Sequence, residues 1–287
     1  DWGCFDVVQK DGSIKKYYAF FMILGYSRTL YVEIVKNCKL EVLMDCHTRA
    51  FKYLRGVPHE VLYDNMKTVV EINGKEKKIN QEFLHFANHY SFQPKLCPVY
   101  SPWVKGKVER PVSYVRERFW RGYNFVSIDQ ANQDMVSWLN TTANVRIHGT
   151  HQKKISDRWQ KEMPELHPLP ANDYDTSVKV VRKVYKDCQV SYGGNRYVVP
   201  YKAVGKKILL KVKNGVIRFY DDNQLLVSYQ ESEGSGETIQ YPRFYEQLQR
   251  DQQQNRRKYK KGKAFCESKH MAVEVNLRPI QEYDLLI

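Results

Sequence analysis

The sequence predicts a mixed α/β domain over residues 1–150, followed by a small all-β barrel. Three observations carry this. The chain has 287 residues, more than one compact module needs and enough for two domains. Residues 1–150 alternate apolar runs of strand length with stretches of helical period. Residues 178–229 instead hold short Val-, Tyr- and Ile-rich runs separated by Gly193-Gly194-Asn195, Asn214-Gly215 and Asp221-Asp222-Asn223, the pattern of a small barrel of about five strands.

Taken in order, residues 1–8 read as a strand. Residues 16–25 are near-continuously apolar and aromatic, as in a strand buried on both faces. Residues 29–35 follow after Tyr26-Ser27-Arg28, which makes a hairpin of the two runs. Between 39 and 54, Leu40, Leu43, Met44, His47, Ala50, Phe51 and Leu54 fall at helical spacing, and Arg55-Gly56 stops the helix. A short strand at 60–63 ends at Asp64. Residues 69–72 and 77–79 flank Asn73-Gly74, a hairpin turn signal. Asn80 can cap a helix running to 90, and 92–96 is a further short strand ended by Pro98. Helices are expected at 107–119 and 127–144, with a short one at 156–162. Pro164, Pro168 and Pro170 mark a linker. The expected division is a core at 1–150, a helix and linker at 151–175, the barrel at 176–231, and a basic, partly extended tail at 232–287.

Lys and Arg number 46 against 32 Asp and Glu, a net charge of +14. A globular chain this basic points to a polyanion partner, most often nucleic acid; a solvated basic surface is the plainer alternative. The most apolar run, 17–26, is far short of the roughly 20 residues that span a bilayer, so no membrane partner is expected. The cysteines (Cys4, Cys38, Cys46, Cys97, Cys188, Cys266) contain no C-x-x-C pair, which speaks against a zinc or disulfide framework and fits a reducing cytoplasm. His85 and His89 can share a helix face, but no Glu occupies the zincin position between them and no third ligand is near. There is no Walker-type glycine loop, so the chain is not expected to use ATP itself. The sequence shows no secretory signal and opens at Asp1 without Met, so an upstream segment is expected.

Three acidic neighbourhoods stand out. Asp1 and Asp64 lie on or at the end of expected strands, and Glu109 lies at the start of an expected helix. Strand ends and a facing helix can converge acids distant in sequence, and converged carboxylates bind hard divalent cations through oxygen. In a chain with 32 acids, spacing alone singles out none of them.

Their neighbours do more. Asp1-Trp2-Gly3, Tyr63-Asp64-Asn65 with Met66-Lys67-Thr68, Pro102-Trp103-Val104-Lys105-Gly106-Lys107-Val108-Glu109-Arg110, Trp138-Leu139-Asn140, Arg146-Ile147-His148-Gly149-Thr150 and Tyr197-Val198-Val199-Pro200 occur in that order across nearly the whole chain. This set resembles the IstA-type transposases of two-gene insertion sequences, relatives of retroviral integrases and the Mu transposase. The resemblance implies an α/β, ribonuclease-H-like integrase core, a mixed sheet flanked by helices, followed by the small β-barrel and basic tail. It implies a D-D-E triad of Asp1, Asp64 and Glu109, both catalytic and metal-binding. Two Mg²⁺ ions go with that triad, with Mn²⁺ able to substitute. The implied chemistry is hydrolysis at transposon ends, then strand transfer of the 3′-hydroxyls into target DNA. Such two-metal displacements need no covalent enzyme intermediate, so the 21 tyrosines read as packing and stacking. The implied partners are transposon-end and target DNA, the AAA+ ATPase IstB, and further copies of the chain, a tetramer on paired ends. The implied setting is the bacterial cytoplasm, at the nucleoid. A retroviral-type integrase or ribonuclease-H-like nuclease is the nearest alternative; a non-catalytic DNA-binding scaffold with an integrase-like fold is the alternative from another class.

Two features depart from the retroviral pattern. The gap between the second and third acids is longer, and the hairpin at Asn73-Gly74 accounts for it. Pro111 follows Glu109 closely, so the helix must begin near Glu109, bend, or absorb Pro111 in its first turn. The expected phosphate contacts are Lys67, Lys105, Lys107, Arg110, Arg116, Arg146, His148, Lys206, Lys207, Arg256, Arg257, Lys258, Lys260 and Lys261. Contacts of this kind position DNA without reading its sequence. Arg118 and Arg121 divide evenly between that role and solvated helix charge. Asn65 either holds a metal-bound water or caps the next turn. The apolar end at 276–287 is expected to dock, on a neighbouring subunit, on the ATPase or on the chain's own core.

Overall fold

The computed structural model describes residues 1–8, 12–64, 66, 68–73, 76–97, 110–232, 234–240, 249–250 and 253. The chain divides into two compact units, Asp1–Thr176 and Ser177–Ile287. In the first, the elements are β1 (Trp2–Val8), β2 (Ile14–Ile23), β3 (Leu30–Val35), α1 (Leu40–Leu54), β4 (Glu60–Tyr63), β5 (Val70–Asn73), β6 (Glu76–Ile79), α2 (Gln81–His89), β7 (Gln93–Leu96), α3 (110–115), α4 (Ile128–Trp138), β8 (Ile147–His148), β9 (Lys153–Lys154) and α5 (Ile155–Glu162).

β1, β2 and β3 form an antiparallel sheet in that order, with Phe20 opposite both Trp2 and Glu33. The central strand is buried on both faces because helices cover each side. Phe20, Met22, Tyr31 and Val35 pack with residues of α1 and α2, including Leu43, Phe51, Phe83 and Phe86. On the other face, Ala19, Phe21, Leu30, Val32 and Ile34 pack with Val115, Ala131, Met135 and Leu139. This double burial is why the sequence there reads as one apolar run. β4 and β7 form a separate parallel pair, and β5 and β6 form the expected hairpin between them.

Local chemistry sets the helix ends. α1 buries Leu43, Met44, His47, Ala50, Phe51 and Leu54 on one face. It stops at Arg55, whose φ of 60° is left-handed and whose N–H returns to the Lys52 carbonyl. The Asn80 side chain accepts the Phe83 N–H at 3.1 Å and caps α2. α3 begins at 110 and widens into a looser turn over Arg116–Trp120. Pro111 is therefore absorbed in a first turn, where its missing N–H has no helical partner to lose.

The free edge of β3 is covered by two side-chain amides. Asn144 Oδ1 accepts the Leu30 N–H at 2.9 Å, and its Nδ2 donates to the Leu30 carbonyl at 2.8 Å. Asn132 treats Ile34 the same way, at 2.7 and 2.9 Å. An uncovered strand edge is a template for unwanted pairing; here Asn132 on α4 and Asn144, directly after the wide turn Leu139–Ala143, occupy the edge. β8 and β9 form a two-residue ladder that the sequence reading did not contain, since so short a strand has no readable period.

The second unit contains β10 (Val178–Lys183), β11 (Gln189–Tyr192), β12 (Asn195–Val198), β13 (Lys207–Lys213), β14 (Val216–Asp221), β15 (Gln224–Gln230) and β16 (Thr238–Ile239). The small barrel of about five strands expected here is built from seven described strands. The described strands form two open sheets, β10-β13-β14-β15 and β11-β12-β16. Both contribute to one core, in which Tyr197, Ile208, Leu210, Ile217 and Phe219 are fully buried. After β15 the chain returns to β12. There β16 adds as a parallel strand, inside the segment read as tail. Asn195 fixes that crossing: its Nδ2 donates to the Gly234 carbonyl at 2.7 Å and its Oδ1 accepts the Glu237 N–H at 2.9 Å.

Candidate active site

The β1–β2 ladder positions Asp1. Its amino group donates to the Phe21 carbonyl and its carbonyl accepts the Phe21 N–H, each at 2.8 Å. Its carboxylate Oδ1 accepts the Trp2 N–H at 2.7 Å. Asp64 immediately follows β4, and its carbonyl accepts the Met66 N–H at 2.6 Å. Asp1 and Asp64 line one cavity of about 760 Å³, together with Phe20, His47, Tyr63 and Lys95. The fold thus brings two of the three expected acids to a shared space from separate ladders. Glu109 lies outside the described residues, as do Asn65, Lys67, Lys105, Lys107, Arg256, Arg257, Lys258, Lys260, Lys261 and the apolar end at 276–287. Among the described residues, no three His, Cys, Asp or Glu are grouped to hold a metal ion. Two carboxylates opening on one cavity are hard oxygen donors of the kind that suits a divalent cation.

Behind this cavity sits a polar contact that the sequence reading missed. His47 was legible only as a core position of α1. Its Nδ1 lies 2.7 Å from the Leu43 carbonyl, and its Nε2 lies 2.8 Å from the Tyr63 hydroxyl. A carbonyl can only accept, so Nδ1 carries the proton and Nε2 accepts from Tyr63. Phe20, Phe51, Phe83, Phe86 and Phe92 surround the imidazole. Burial lowers its pKa to about 3, so it is neutral at ordinary pH. Burial also pushes the Tyr63 phenol well above its usual range. The pair pins the residue just before Asp64.

The expected phosphate contacts are dispersed. Arg110 is exposed at the start of α3, and Lys207 is exposed at the start of β13. The Arg116 guanidinium lies 5.9 Å from the Phe5 ring. Arg146 donates to the Ala143 carbonyl and lies 4.1 Å over the Tyr114 ring, so part of its task is packing. The His148 ring stacks on His151 at 5.2 Å. Lys206 pairs with Asp221 at 2.6 Å, which offsets its charge locally. His89 Nε2 donates to the Asn172 carbonyl at 2.8 Å, a structural bond in place of the zinc reading. No helix among the described residues is long and apolar enough to cross a membrane.

Comparison with known proteins fits these observations. Residues 1–102 match the family described as "Integrase core domain", and residues 169–240 match "Mu transposase, C-terminal domain". The protein assigned as the transposase of insertion sequence element IS5376 in Geobacillus stearothermophilus is 41% identical over 224 residues, covering 77% of this chain and 55% of that protein. The transposase of insertion sequence element IS21 from Pseudomonas aeruginosa is 33% identical over 232 residues, covering 80% and 59%. Among solved structures, the simian T-cell lymphotropic virus intasome in complex with PP2A regulatory subunit B56 gamma is similar with a TM-score of 0.44 and 15% identity, covering 80% of this chain and 78% of that one. The chain is a protein of the integrase-core class. Within that class it belongs to the IS21-type, or IstA-type, transposase family. It spans little more than half the length of the curated relatives it matches.

Proposed function

We propose that the chain is the catalytic and C-terminal part of a DNA transposase, which cuts at transposon ends and joins the resulting 3′-hydroxyls to target DNA. The observation that carries this reading is that Asp1 and Asp64 line one cavity within the segment matching an integrase core. Asp1, Asp64 and Glu109 are the residues that hold two Mg²⁺ ions, with Mn²⁺ able to replace them. Bound metal supplies Lewis-acid activation of the attacking oxygen and stabilisation of the departing one.

The chain's own residues position the reaction. The Trp2 N–H fixes one Asp1 oxygen, and the His47–Tyr63 hydrogen bond holds the end of β4 next to Asp64. Glu109 directly precedes α3. In each displacement a water or a 3′-hydroxyl attacks phosphorus as another P–O bond breaks, so no Ser, Tyr or Cys nucleophile takes part. Exposed Lys and Arg side chains contact backbone phosphates. The chain acts as a multimer, a tetramer on paired ends, with the AAA+ ATPase IstB as partner, at the bacterial nucleoid.

The test is a one-pot reaction of end duplex and target plasmid in Mg²⁺. The expected result is a covalent end–target product that chelation abolishes and that Asp1→Ala and Glu109→Gln each eliminate. Nicking without any joined product would favour a plain nuclease, and unaltered joining by Glu109→Gln would remove the triad assignment.

A further inference from the structure

A group of cations gathers around the β2–β3 turn, with Glu162 as the carboxylate that acts on Arg28. Arg28 lies in that turn, at a left-handed φ of 68°. Arg158 comes from α5, and Arg146, His148, His151 and Lys153 come from the β8–β9 ladder and its flanks. The chain itself occupies some of them. Arg158 donates from Nε and Nη2 to the Tyr26 carbonyl, at 3.0 and 2.6 Å, and lies 3.9 Å over the Tyr26 ring. Arg146 is engaged with Ala143 and Tyr114. The two carboxylate oxygens of Glu162 already accept the Tyr26 and Ser27 N–H groups at 3.1 and 2.7 Å.

Two nitrogens remain. Arg28 Nη1 and His151 Nε2 are both shielded from solvent and have no hydrogen-bond partner. Buried polar groups are nearly always paired; Arg28 Nη1 can only donate, so it indicates a missing acceptor, and His151 Nε2 can donate to the same acceptor in its Nε2–H tautomer. The surroundings fix its sign. Arg28 and Arg158 act on both imidazoles, joined by Arg146 at His148 and by Lys153 at His151; after burial, this crowding lowers the pKa of each. Arg28 and Glu162 also line the cavity that Asp1 and Asp64 share.

We propose that Arg28 and His151, backed by Arg158 and His148, form a site for one phosphodiester oxyanion of bound DNA. The proposal rests on the DNA-transposase reading and deepens it. Arg28 and Arg158 were not among the phosphate contacts expected from sequence, and Arg28 lines the same cavity as the acids.

The test measures duplex-DNA affinity of the full 287-residue chain by fluorescence anisotropy between 50 and 200 mM salt. It compares the wild type with Arg28→Asn, His151→Gln and the double variant. Asn suits the left-handed backbone at 28, and His151→Gln alone carries the test should the change at 28 unfold the chain. Loss of the Arg28 phosphate contact lowers the slope of log affinity against log salt by about 0.9, and His151→Gln, which removes a hydrogen-bond donor and no fixed charge, lowers affinity at every salt concentration; these are the expected results. An unchanged slope in folded Arg28→Asn, or an unchanged affinity in His151→Gln, overturns the site. Inorganic phosphate is the second probe: if it raises the wild-type melting midpoint but not the variants', while the DNA slope stays the same, the site takes small anions and the DNA assignment fails. A wild type with no salt-dependent DNA binding contradicts the proposed function itself, a result distinct from either of these.

Discussion

Acidification should destabilise the first unit through His47. The imidazole is buried among aromatic rings and neutral, with a pKa lowered to about 3. In the unfolded chain it returns to the ordinary histidine value near 6.5. The unfolded state therefore takes up a proton first. Stability from this group is fully present above about pH 6.5, and is lost progressively as pH falls toward 3. Between pH 7 and pH 5 the loss from His47 alone is about 2 kcal/mol, and below both pKa values it approaches about 5 kcal/mol. All five tryptophans, Trp2, Trp103, Trp120, Trp138 and Trp159, lie within Asp1–Thr176, so tryptophan fluorescence in urea follows that unit alone. His47→Gln cannot titrate. It should be less stable than wild type at pH 7, because the Tyr63 bond and the aromatic packing are disturbed. Its change between pH 7 and pH 5 should be smaller than the wild-type change by about 2 kcal/mol. Every other titrating group is common to both proteins and cancels. Equal pH 7-to-5 changes in the two would refute the reasoning.

Other outcomes follow from the same contacts. Asn144→Leu strips the Leu30 N–H and carbonyl of their partner, and should cost about 1–3 kcal/mol per orphaned group, read from the same urea transition. Tyr197→Ala empties the largest fully buried position, here in the second unit, and should cost about 3–5 kcal/mol by circular dichroism, as for other large aromatic truncations. DNA affinity should fall by about 10³-fold or more between 50 and 200 mM salt if six or more phosphates are contacted; a nearly flat response would contradict the use of the +14 charge.

Legibility in the sequence followed the length and regularity of the pattern. α1 could be read because six apolar residues and His47 repeat at helical spacing and Arg55-Gly56 ends them, and β2 because burial on both faces leaves an unbroken apolar run. The contacts that finish the fold were not legible. Asn132 and Asn144 look like ordinary polar helix positions, and only tertiary packing turns them into a cover for β3. The His47–Tyr63 bond joins groups that periodicity assigns simply to the core. The third strand of the β11-β12 sheet, β16, is two residues long and lies beyond a polar break, where no period exists. At the site, residue identities suggested Asp1 and Asp64, and the β1–β2 ladder and β4 supply the cavity they share. Arg28 and His151 carried no motif; their significance appears only once both are found without partners.

The central claim is that the acids act in chemistry while the basic side chains hold the DNA. The most direct measurement is the joining of pre-cut 3′-hydroxyl ends by Asp64→Ala in Mg²⁺, with end-DNA affinity determined on the same preparation. The account predicts that joining disappears while affinity stays at the wild-type value. An Asp64→Ala protein that joins pre-cut ends at the wild-type rate would contradict it.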